Sequence, residues 1–387
     1  MFNVKTLNKI SGCGLDCFDR DMYAIGDSIS NPDAIMVRSA NMLDGEIPES
    51  LLAIARAGAG VNNIPVEKCT EQGIVVFNTP GANANGVKEL VLAGLLMCSR
   101  KVVPSLEWAK TLKGHGGEVV KLVEKGKSAF TGPEIAGKTL GVVGLGAIGI
   151  LVANAAKALG MNVYGYDPFL SVEAAWSLSR SIKHAKDLRE VFQNCDYITL
   201  HVPLNNDTKA MVNAKSIEGM KDGVRILNFS RAALCDDAAV IEALGTGKVA
   251  AYVTDFPTDE VLGVEGVVAL PHLGASTPES EDNCATMAAH QLVDFLENGN
   301  IKNSVNLPDV AMARAGVGRV CVVHKNIPNI LTRISGVFAA QNINIENMLN
   351  KSKKDTAYTV LDVSAEITDD FYKAICDIEG VIRVRII

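Results

Sequence analysis

Three residues that follow separate apolar runs carry side chains suited to oxidising a hydroxy acid. Arg231 follows Asn-Phe-Ser, Glu260 ends Asp-Phe-Pro-Thr-Asp-Glu, and His272 lies in Pro-His-Leu-Gly. Imidazole titrates near neutral pH and can accept a hydroxyl proton. A neighbouring carboxylate orients the imidazole and raises its pKa, and a guanidinium binds a substrate carboxylate through two hydrogen bonds. The sequence therefore predicts His272 as the base, Glu260 as its partner and Arg231 as the substrate-binding cation.

A glycine-rich segment predicts a dinucleotide site. An apolar run at 140–143 is followed by Gly-Leu-Gly-Ala-Ile-Gly, and Asp167 ends the next apolar run. The first glycine permits a tight turn, the second lets the backbone approach a pyrophosphate, and the third lets a helix pack closely. The phosphates then bind the helix N-terminus. Asp167 would bond the ribose hydroxyls and repel a 2′-phosphate, so NAD is predicted rather than NADP. The residues predicted to bind the cofactor in this segment are Gly144, Gly146, Ala147, Ile148, Gly149 and Asp167.

The elements that must position these residues alternate between strand and helix. After the glycines, apolar runs recur at 197–202, 224–229, 249–254 and 267–270, with helix-like stretches between them. This alternation predicts an α/β fold with a Rossmann-like, doubly wound parallel sheet, whose ligands bind at the carboxyl ends of the strands.

The chain of 387 residues is too long for one core and predicts several domains. The expected division is a discontinuous, flavodoxin-like substrate-binding domain at 1–82 and 279–305, an NAD-binding Rossmann domain at 83–278, a linker at 306–315 and a regulatory domain at 316–387. The last segment reads βαββαβ, which predicts a ferredoxin-like fold. Residues 104–138 offer little that could form a core, so we expect a protruding arm.

Composition excludes several classes of protein. A net charge of −7 without a long basic run argues against nucleic acid or an anionic membrane as the main partner. No apolar run is long enough for a membrane helix, and the first residues do not resemble a secretory signal. Nine scattered cysteines favour reduced thiols and a cytoplasmic location. Cys13 and Cys17 have no second Cys or His pair nearby, so no metal site is predicted.

The motifs together resemble the D-isomer-specific 2-hydroxyacid dehydrogenases. Gly-x-Gly-x-x-Gly with its distal Asp, Asn-x-Ser-Arg, Asp-x-Pro-Thr-x-Glu and Pro-His-Leu-Gly-Ala-Ser-Thr are similar to that family over nearly the whole chain. Within it, the segments beginning at Val37, Arg56 and Gly73 and the tail resemble the members that act on 3-phosphoglycerate. The resemblance implies NAD-dependent oxidation of 3-phospho-D-glycerate to 3-phosphohydroxypyruvate, the first step of L-serine biosynthesis.

The resemblance also implies further binding residues. Additional residues expected around the cofactor, most of them at strand ends, are His201, Val202, Pro203, Thr208, Ser230, Arg231, Asp255 and Gly274. Residues expected around the substrate are Arg38, Ser39, Gly60, Val61, Asn83, Arg231 and His272.

The chain departs from the family pattern in four places, one of which is its short N-terminal unit. Ala232 replaces a usual Gly and Asn62 a usual Asp, and the glutamate loop is one residue shorter than in some members. Counting back from Pro-Thr would nominate Asp259 as the imidazole's partner instead. We favour Glu260 because it preserves the spacing from Asp255.

The tail resembles an ACT domain, which in related dehydrogenases binds L-serine across a dimer of such domains. This likeness implies a homodimer or homotetramer and an effector site at His324, Asn326 and Asn344. Asn329 stands where the family usually has Gly, and Asn tolerates the left-handed backbone that the turn requires. The alternative is an ACT domain with a purely structural role.

Two other functions remain open from the sequence. The chain could be a different D-2-hydroxyacid dehydrogenase, such as a glycerate or lactate enzyme. It could also be a non-catalytic, nucleotide-sensing regulatory protein on the same fold, although intact Arg231, Glu260 and His272 argue against that.

Overall fold

The computed structural model describes all 387 residues, which form two compact units. Unit 1 comprises Met1–Ala82 and Glu281–Ile387, and unit 2 comprises Asn83–Ser280. No helix of the chain is both long and apolar enough to cross a membrane.

Unit 1 contains a five-stranded parallel sheet in the order β2-β1-β3-β4-β5. This is the flavodoxin-like order. Successive strands are added to one edge of the sheet up to β2 and to the other edge from β3 onward, and ligands bind at the switch point between β1 and β3. The last three strands, β3, β4 and β5, are short and almost entirely buried, as expected for a sheet covered on both faces, whereas β1 and β2 are mostly half-buried. Its elements are β1 (Phe2–Leu7), α1 (Gly12–Leu15), β2 (Tyr23–Gly26), β3 (Ala34–Val37), β4 (Ala53–Arg56), α2 (Val66–Glu71) and β5 (Val75–Phe77).

Unit 2 contains a seven-stranded parallel sheet in the order β12-β11-β10-β9-β6-β7-β8. The first strand, β6, lies between β9 and β7, which is the Rossmann arrangement with its crevice beside β6. Its strands are β6 (Thr139–Val143), β7 (Asn162–Tyr166), β8 (Lys183–His184), β9 (Tyr197–Leu200), β10 (Val224–Asn228), β11 (Val249–Thr254) and β12 (Val267–Ala269). Its α-helices are α3 (Ala84–Arg100), α4 (Val102–Thr111), α5 (Val119–Gly126), α6 (Ala147–Ala158), α7 (Val172–Ser177), α8 (Leu188–Asn194), α9 (Ala214–Glu218) and α10 (Asp237–Thr246).

The segment predicted as an arm folds into α4, α5 and two short 3-10 helices, Gly116–Glu118 and Lys127–Phe130. Neither α4 nor α5 has a buried residue. Trp108 packs against Phe130, with ring centroids 5.2 Å apart. Leu112 is buried within the chain. The arm thus has a small apolar contact of its own. The apolar side chains that it exposes are Leu106, Val120 and Val123.

The C-terminal residues of unit 1 form an antiparallel sheet in the order β14-β15-β13-β16. Two helices cover one face, with Phe338 and Phe371 in edge-to-face contact at 4.6 Å. The βαββαβ order confirms the predicted ferredoxin-like fold. The elements are α11 (Pro278–Asn298), which crosses the boundary between the units, β13 (Gly318–Lys325), α12 (Ile330–Ala340), β14 (Ile345–Lys353), β15 (Thr356–Val363), α13 (Asp369–Cys376) and β16 (Val381–Ile386).

The other face of this antiparallel sheet is part of the main core of unit 1. Cys321, Val323, Tyr358 and Val360 share one buried cluster with side chains of the parallel sheet and of α11. The segment predicted as a linker is likewise packed, because Leu307 and Val310 are buried and Ile301 and Val310 exchange backbone hydrogen bonds. Apolar residues in a short connection indicate docking rather than a flexible tether.

Two arginines and a tyrosine of the antiparallel sheet bond the C-terminal end of α11. Arg385 donates to the carbonyls of Phe295 and Leu296, each at 3.0 Å. Arg319 donates to the carbonyl of Asn298 at 2.7 Å, and the Tyr358 hydroxyl donates to that of Gly299 at 2.7 Å. Helix C-termini leave carbonyls unpaired and carry partial negative charge, which cations stabilise. We name these three side chains the α11 cap.

Candidate functional site

The glycine segment of unit 2 has the geometry of a nucleotide loop. Gly144 has φ +92°, and a Cβ there would lie 2.4 Å from the carbonyl oxygen of His201. A Cβ at Gly149 would lie 1.9 Å from the carbonyl oxygen of Gly144, whereas nothing lies within 4 Å of one at Gly146. The backbone at Gly144 and Gly149 is therefore closely packed, and open space remains beside Gly146.

Helix α6 starts directly after this open space. Gly146 is its N-cap and provides no side-chain capping bond, so the first amide groups, including those of Ala147 and Ile148, remain available to an anion. Asp167, at the end of β7, accepts a hydrogen bond from the Leu145 amide at 2.8 Å and one from the Phe169 amide at 2.8 Å. A carboxylate has about four acceptor positions, so both oxygens can still accept ribose hydroxyls.

Buried polar atoms without partners follow two strands of unit 2, β9 and β11, which flank β10 in the sheet. After β9, His201 has Nε2 3.0 Å from the Thr199 hydroxyl, while Nδ1 is buried without a partner. Burial lowers the pKa of His201 to about 4, so this ring is neutral at pH 7. After β11, Asp255 is 2% exposed, and its Oδ1 also has no partner.

The remaining cofactor candidates lie on the loops that follow these strands. The Ser230 hydroxyl donates to the carbonyl of Leu200 at 2.7 Å and so joins the ends of β10 and β9. The Thr208 hydroxyl donates to the carbonyl of Pro203 at 2.6 Å and closes the loop that begins at Val202. A Cβ at Gly274 would lie 3.4 Å from Asp255 Oδ2. The open glycine cradle, the free helix amides and the unpaired buried atoms fit a dinucleotide in unit 2.

Arg231 and His272 both pack against one aromatic ring, that of Phe256. The Arg231 guanidinium lies 5.6 Å from the centroid of Phe256, and the rings of Phe256 and His272 are 4.3 Å apart. Both polar side chains are exposed. Phe256 was not predicted as a site residue, although it lies two residues after the end of β11 and within the Asp-Phe-Pro-Thr motif that carries Asp255.

Glu260 does not pair with His272 in this structure. No carboxylate oxygen lies within 4.0 Å of the His272 ring nitrogens, and both Glu260 and Asp259 are exposed. The carboxyl group whose pKa His272 and Arg231 influence is that of Asp255. Burial raises its pKa, and the positive charges of His272 and Arg231 oppose that shift.

The substrate candidates of unit 1 follow β3 and β4. The Ser39 amide donates to Asn8 Oδ1 at 3.1 Å, which ties the ends of β3 and β1 together at the switch point. Arg38 forms an ion pair with Glu281 of α11, with Nη1 and Oε1 2.8 Å apart. Gly60 and Val61 lie in the loop after β4. Asn83 belongs to unit 2, where it precedes α3.

Arg56, which ends β4, is a candidate that the sequence analysis quoted but assigned no role. Its Nε donates to the carbonyl of Arg38 at 3.1 Å, and its guanidinium packs against Gly58, where a Cβ would lie 2.4 Å from Nη1. Burial and the neighbouring Arg38 lower its pKa, while Cys284 acts in the opposite direction. Arg38 was expected from the family resemblance alone, and the position of Arg56 at the end of an apolar run is the signal that could have identified it.

The three regulatory candidates differ in exposure. Asn326 and Asn344 are exposed, and Asn344 donates to Glu346 at 3.0 Å. His324 is only 1% exposed, and both ring nitrogens are bonded internally, to the Thr359 hydroxyl at 2.8 Å and to the Lys325 carbonyl at 2.9 Å. Asn329 adopts φ +65° at the start of α12, the left-handed conformation expected for it.

Two family models match the chain. Residues 92–274 match the D-isomer specific 2-hydroxyacid dehydrogenase, NAD binding domain, and residues 320–383 match the AHAS small subunit-like ACT domain. Unit 2 and the antiparallel sheet of unit 1 contain these two segments.

Three relatives are named D-3-phosphoglycerate dehydrogenase. That of Methanocaldococcus jannaschii is 36% identical over 75% of this chain and 55% of its own, and that of Bacillus subtilis is 32% identical over 84% and 62%. The Escherichia coli protein is 31% identical over 95% of this chain and 90% of its own. The chain thus spans little more than half the length of the first two relatives.

A crystal structure of NAD+-bound 3-phosphoglycerate dehydrogenase from Entamoeba histolytica is also similar. It has 27% sequence identity and a TM-score of 0.60, and the match covers 79% of this chain and 98% of that one.

Proposed function

Because the chain belongs to the D-isomer-specific 2-hydroxyacid dehydrogenases, we propose that it oxidises 3-phospho-D-glycerate to 3-phosphohydroxypyruvate with NAD, the first step of L-serine biosynthesis. The observation that carries the substrate assignment is the arginine pair, Arg38 and Arg56, at the ends of adjacent strands of unit 1. Two guanidiniums suit a phosphate dianion, which binds Arg through paired hydrogen bonds. A lactate or glycerate molecule carries only its carboxylate and needs one such cation.

In this proposal each unit supplies a different part of the chemistry. Arg38 and Ser39 bind the substrate's phosphorylated end with Arg56, while Gly60, Val61 and Asn83 lie near its carboxylate, which Arg231 binds. His272 accepts the hydroxyl proton. Bound NAD would supply the hydride acceptor. Phe256 restricts the ring orientation of His272 and the position of Arg231, because it contacts both.

The acid that assists His272 is assigned to Glu260, with Asp259 as the alternative. Both are exposed in this structure and sit in the turn after Thr258, so either side chain can move toward the imidazole when the site fills. Catalytic hydrogen bonds are often long in ligand-free structures and shorten in the substrate complex. Asp255 lies at the end of β11, and in this proposal it contacts the cofactor rather than the imidazole of His272.

Regulation and assembly complete the proposal. L-serine binds the ACT domain at Asn326 and Asn344, with His324 supporting the adjoining loop from within. The domain division is a substrate-binding domain at 1–82 and 279–305, an NAD-binding domain at 83–278 and an ACT domain at 316–387. The arm joins two copies of the chain into a homodimer, or two such dimers into a homotetramer. Nine free cysteines suit the cytoplasm.

One spectrophotometric assay tests the substrate. Formation of NADH is followed by its absorbance with 3-phosphoglycerate, D-glycerate and D-lactate in parallel. We expect the highest kcat/KM with 3-phosphoglycerate. Preference for D-lactate or D-glycerate would identify another dehydrogenase of the family, and NAD binding without turnover of any of the three would favour a regulatory protein.

A further inference from the structure

Glu281 is an internal anion that occupies one member of the arginine pair. Its carboxylate lies 2.8 Å from Arg38 and has no other polar partner. Arg56 forms no ion pair, and no carboxylate lies within 4.0 Å of its guanidinium. The group therefore consists of two cations and one anion, with a net charge of +1 where a phosphate dianion is proposed to bind.

The ion pair has the exposure expected of a pair that can open. The side chains of Arg38 and Glu281 are 39% and 43% exposed, so water can solvate both when they separate. Ion pairs at such positions contribute little to folding stability. A stabilising role therefore does not account for an acid at this place.

Glu281 lies on the face of α11 that meets the arginine pair. Cys284, one turn further along, lies close enough to Arg38, Arg56 and Glu281 for each to influence its thiol. Burial raises the pKa of Cys284, the two arginines oppose this shift, and Glu281 adds to it. The helix thus presents one carboxylate directly to a group that is otherwise cationic and half-buried.

We propose that Glu281 sets the anion selectivity of this site by competing with the ligand's anionic group for Arg38. The proposal deepens the proposed function, on which it rests for the identity of the ligand. A dianion gains enough from two guanidiniums to displace Glu281. A ligand with one charge or none at that end leaves the ion pair closed.

The direct test measures binding of inorganic phosphate to the intact protein by calorimetry, in the wild type and in Glu281→Gln. The substitution keeps the side-chain shape and removes the competing charge. We expect phosphate to bind about five to fifty times more tightly, the range given by relieving a like-charge contact near a protein surface. Glu279→Gln is the matched control, because Glu279 is exposed on the first turn of the same helix and pairs with no cation; its phosphate affinity should stay near that of the wild type.

A double-mutant cycle tests whether Glu281 acts through Arg38. In an Arg38→Gln background, the gain in phosphate affinity from Glu281→Gln should shrink to within about twofold, because the arginine for which Glu281 competes is then absent. Unchanged, weaker or undetectable phosphate binding in Glu281→Gln overturns the proposal, as does an equal gain in Glu279→Gln or in the Arg38→Gln background.

Activity provides a second, separate readout. With 3-phosphoglycerate, Glu281→Gln should lower KM with little change in kcat, and it should lower KM for D-glycerate less. A wild type that does not turn over 3-phosphoglycerate would refute the proposed function, whereas the phosphate measurements would still decide the role of Glu281.

Discussion

His272 lies just after β12, where an aromatic ring supports it and its imidazole stays exposed. The ring contacts Phe256 at 4.3 Å and remains exposed, so a substrate hydroxyl can reach it. Asp255 lies near enough to sense its charge. The imidazole of His201, by contrast, is neutral near pH 7 because burial lowers its pKa to about 4, so it is not suited to exchange protons there.

Replacing His272 should therefore remove proton transfer and little else. We expect His272→Gln to lower kcat by a factor of about 10² or more, which is the contribution of a positioned acid–base group. The affinity for NADH, measured by fluorescence titration, should stay unchanged. His290→Gln, an exposed histidine of α11, is the control. Near-normal turnover in His272→Gln would show that another group takes the proton.

The acid beside His272 can be assigned by comparing two neighbours. Since a nearby carboxylate raises the imidazole pKa, its loss should move the lower limb of the kcat/KM profile to lower pH. We expect this displacement in Glu260→Gln and a profile close to wild type in Asp259→Asn. The reverse result would assign the role to Asp259 and confirm the count from Pro257-Thr258.

At the level of elements, the arm is a segment that leaves several of its apolar side chains exposed within the chain. Its small internal contact, Trp108 on Phe130, leaves Leu106 56% exposed, Val120 73% exposed and Val123 38% exposed. Apolar side chains grouped on short helices favour burial against another copy.

Charged residues on this surface should separate the subunits. We expect the double variant Val120→Asp, Val123→Asp to have the mass of a monomer in light scattering, because two carboxylates would have to be desolvated at the interface. Ser128→Asp, which adds a charge at another exposed position of the arm, should keep the wild-type mass. A monomeric wild type would contradict the assembly proposed.

Strand and helix assignments could be predicted because they depend on local apolar periodicity. The glycine loop, Asp167 and the parallel order around β6 follow from patterns within about thirty residues, the size of a βαβ unit. The docking of the antiparallel sheet could not be predicted. Arg319, Tyr358 and Arg385 look like ordinary strand residues in the sequence, and their partners on α11 are distant along the chain. Arg56 was missed for a different reason, since its strand end was quoted but not searched for charge.

At the level of the whole molecule, the ACT domain and the parallel sheet of unit 1 share one core. An effector can change catalysis only if it binds one arrangement of the protein more tightly than another. Shared packing and the α11 cap mean that any such arrangement involves the helix that carries Glu281.

L-serine should inhibit the enzyme at millimolar concentration or below, and Asn344→Ala should abolish inhibition while kcat and KM stay unchanged. Initial rates at several serine concentrations, with calorimetry on the same samples, give both quantities. Asn347→Ala, an exposed position on β14, is the control. Absence of serine binding to the wild type would leave the ACT domain a structural role only.

The buried ion pair of the same sheet extends this view. Arg319 and Asp362 are both 0% exposed, with Nε and Oδ1 2.6 Å apart, and Arg319 also bonds the carbonyls of Asn298 and Ala313. Removing one partner of such a pair leaves a buried charge and is strongly destabilising.

The α11 cap has a consequence for how this protein can change by mutation over generations. A module attached through a flexible hinge can be gained or discarded by recombination with little effect on its host. Here a frameshift or recombination that removed residues 316–387 would expose apolar side chains of the parallel sheet of unit 1 and of α11 and leave the carbonyls at the end of α11 uncapped. On the regulation proposed above, we therefore expect release from L-serine inhibition to arise through point substitutions on the ACT surface and not through loss of the module.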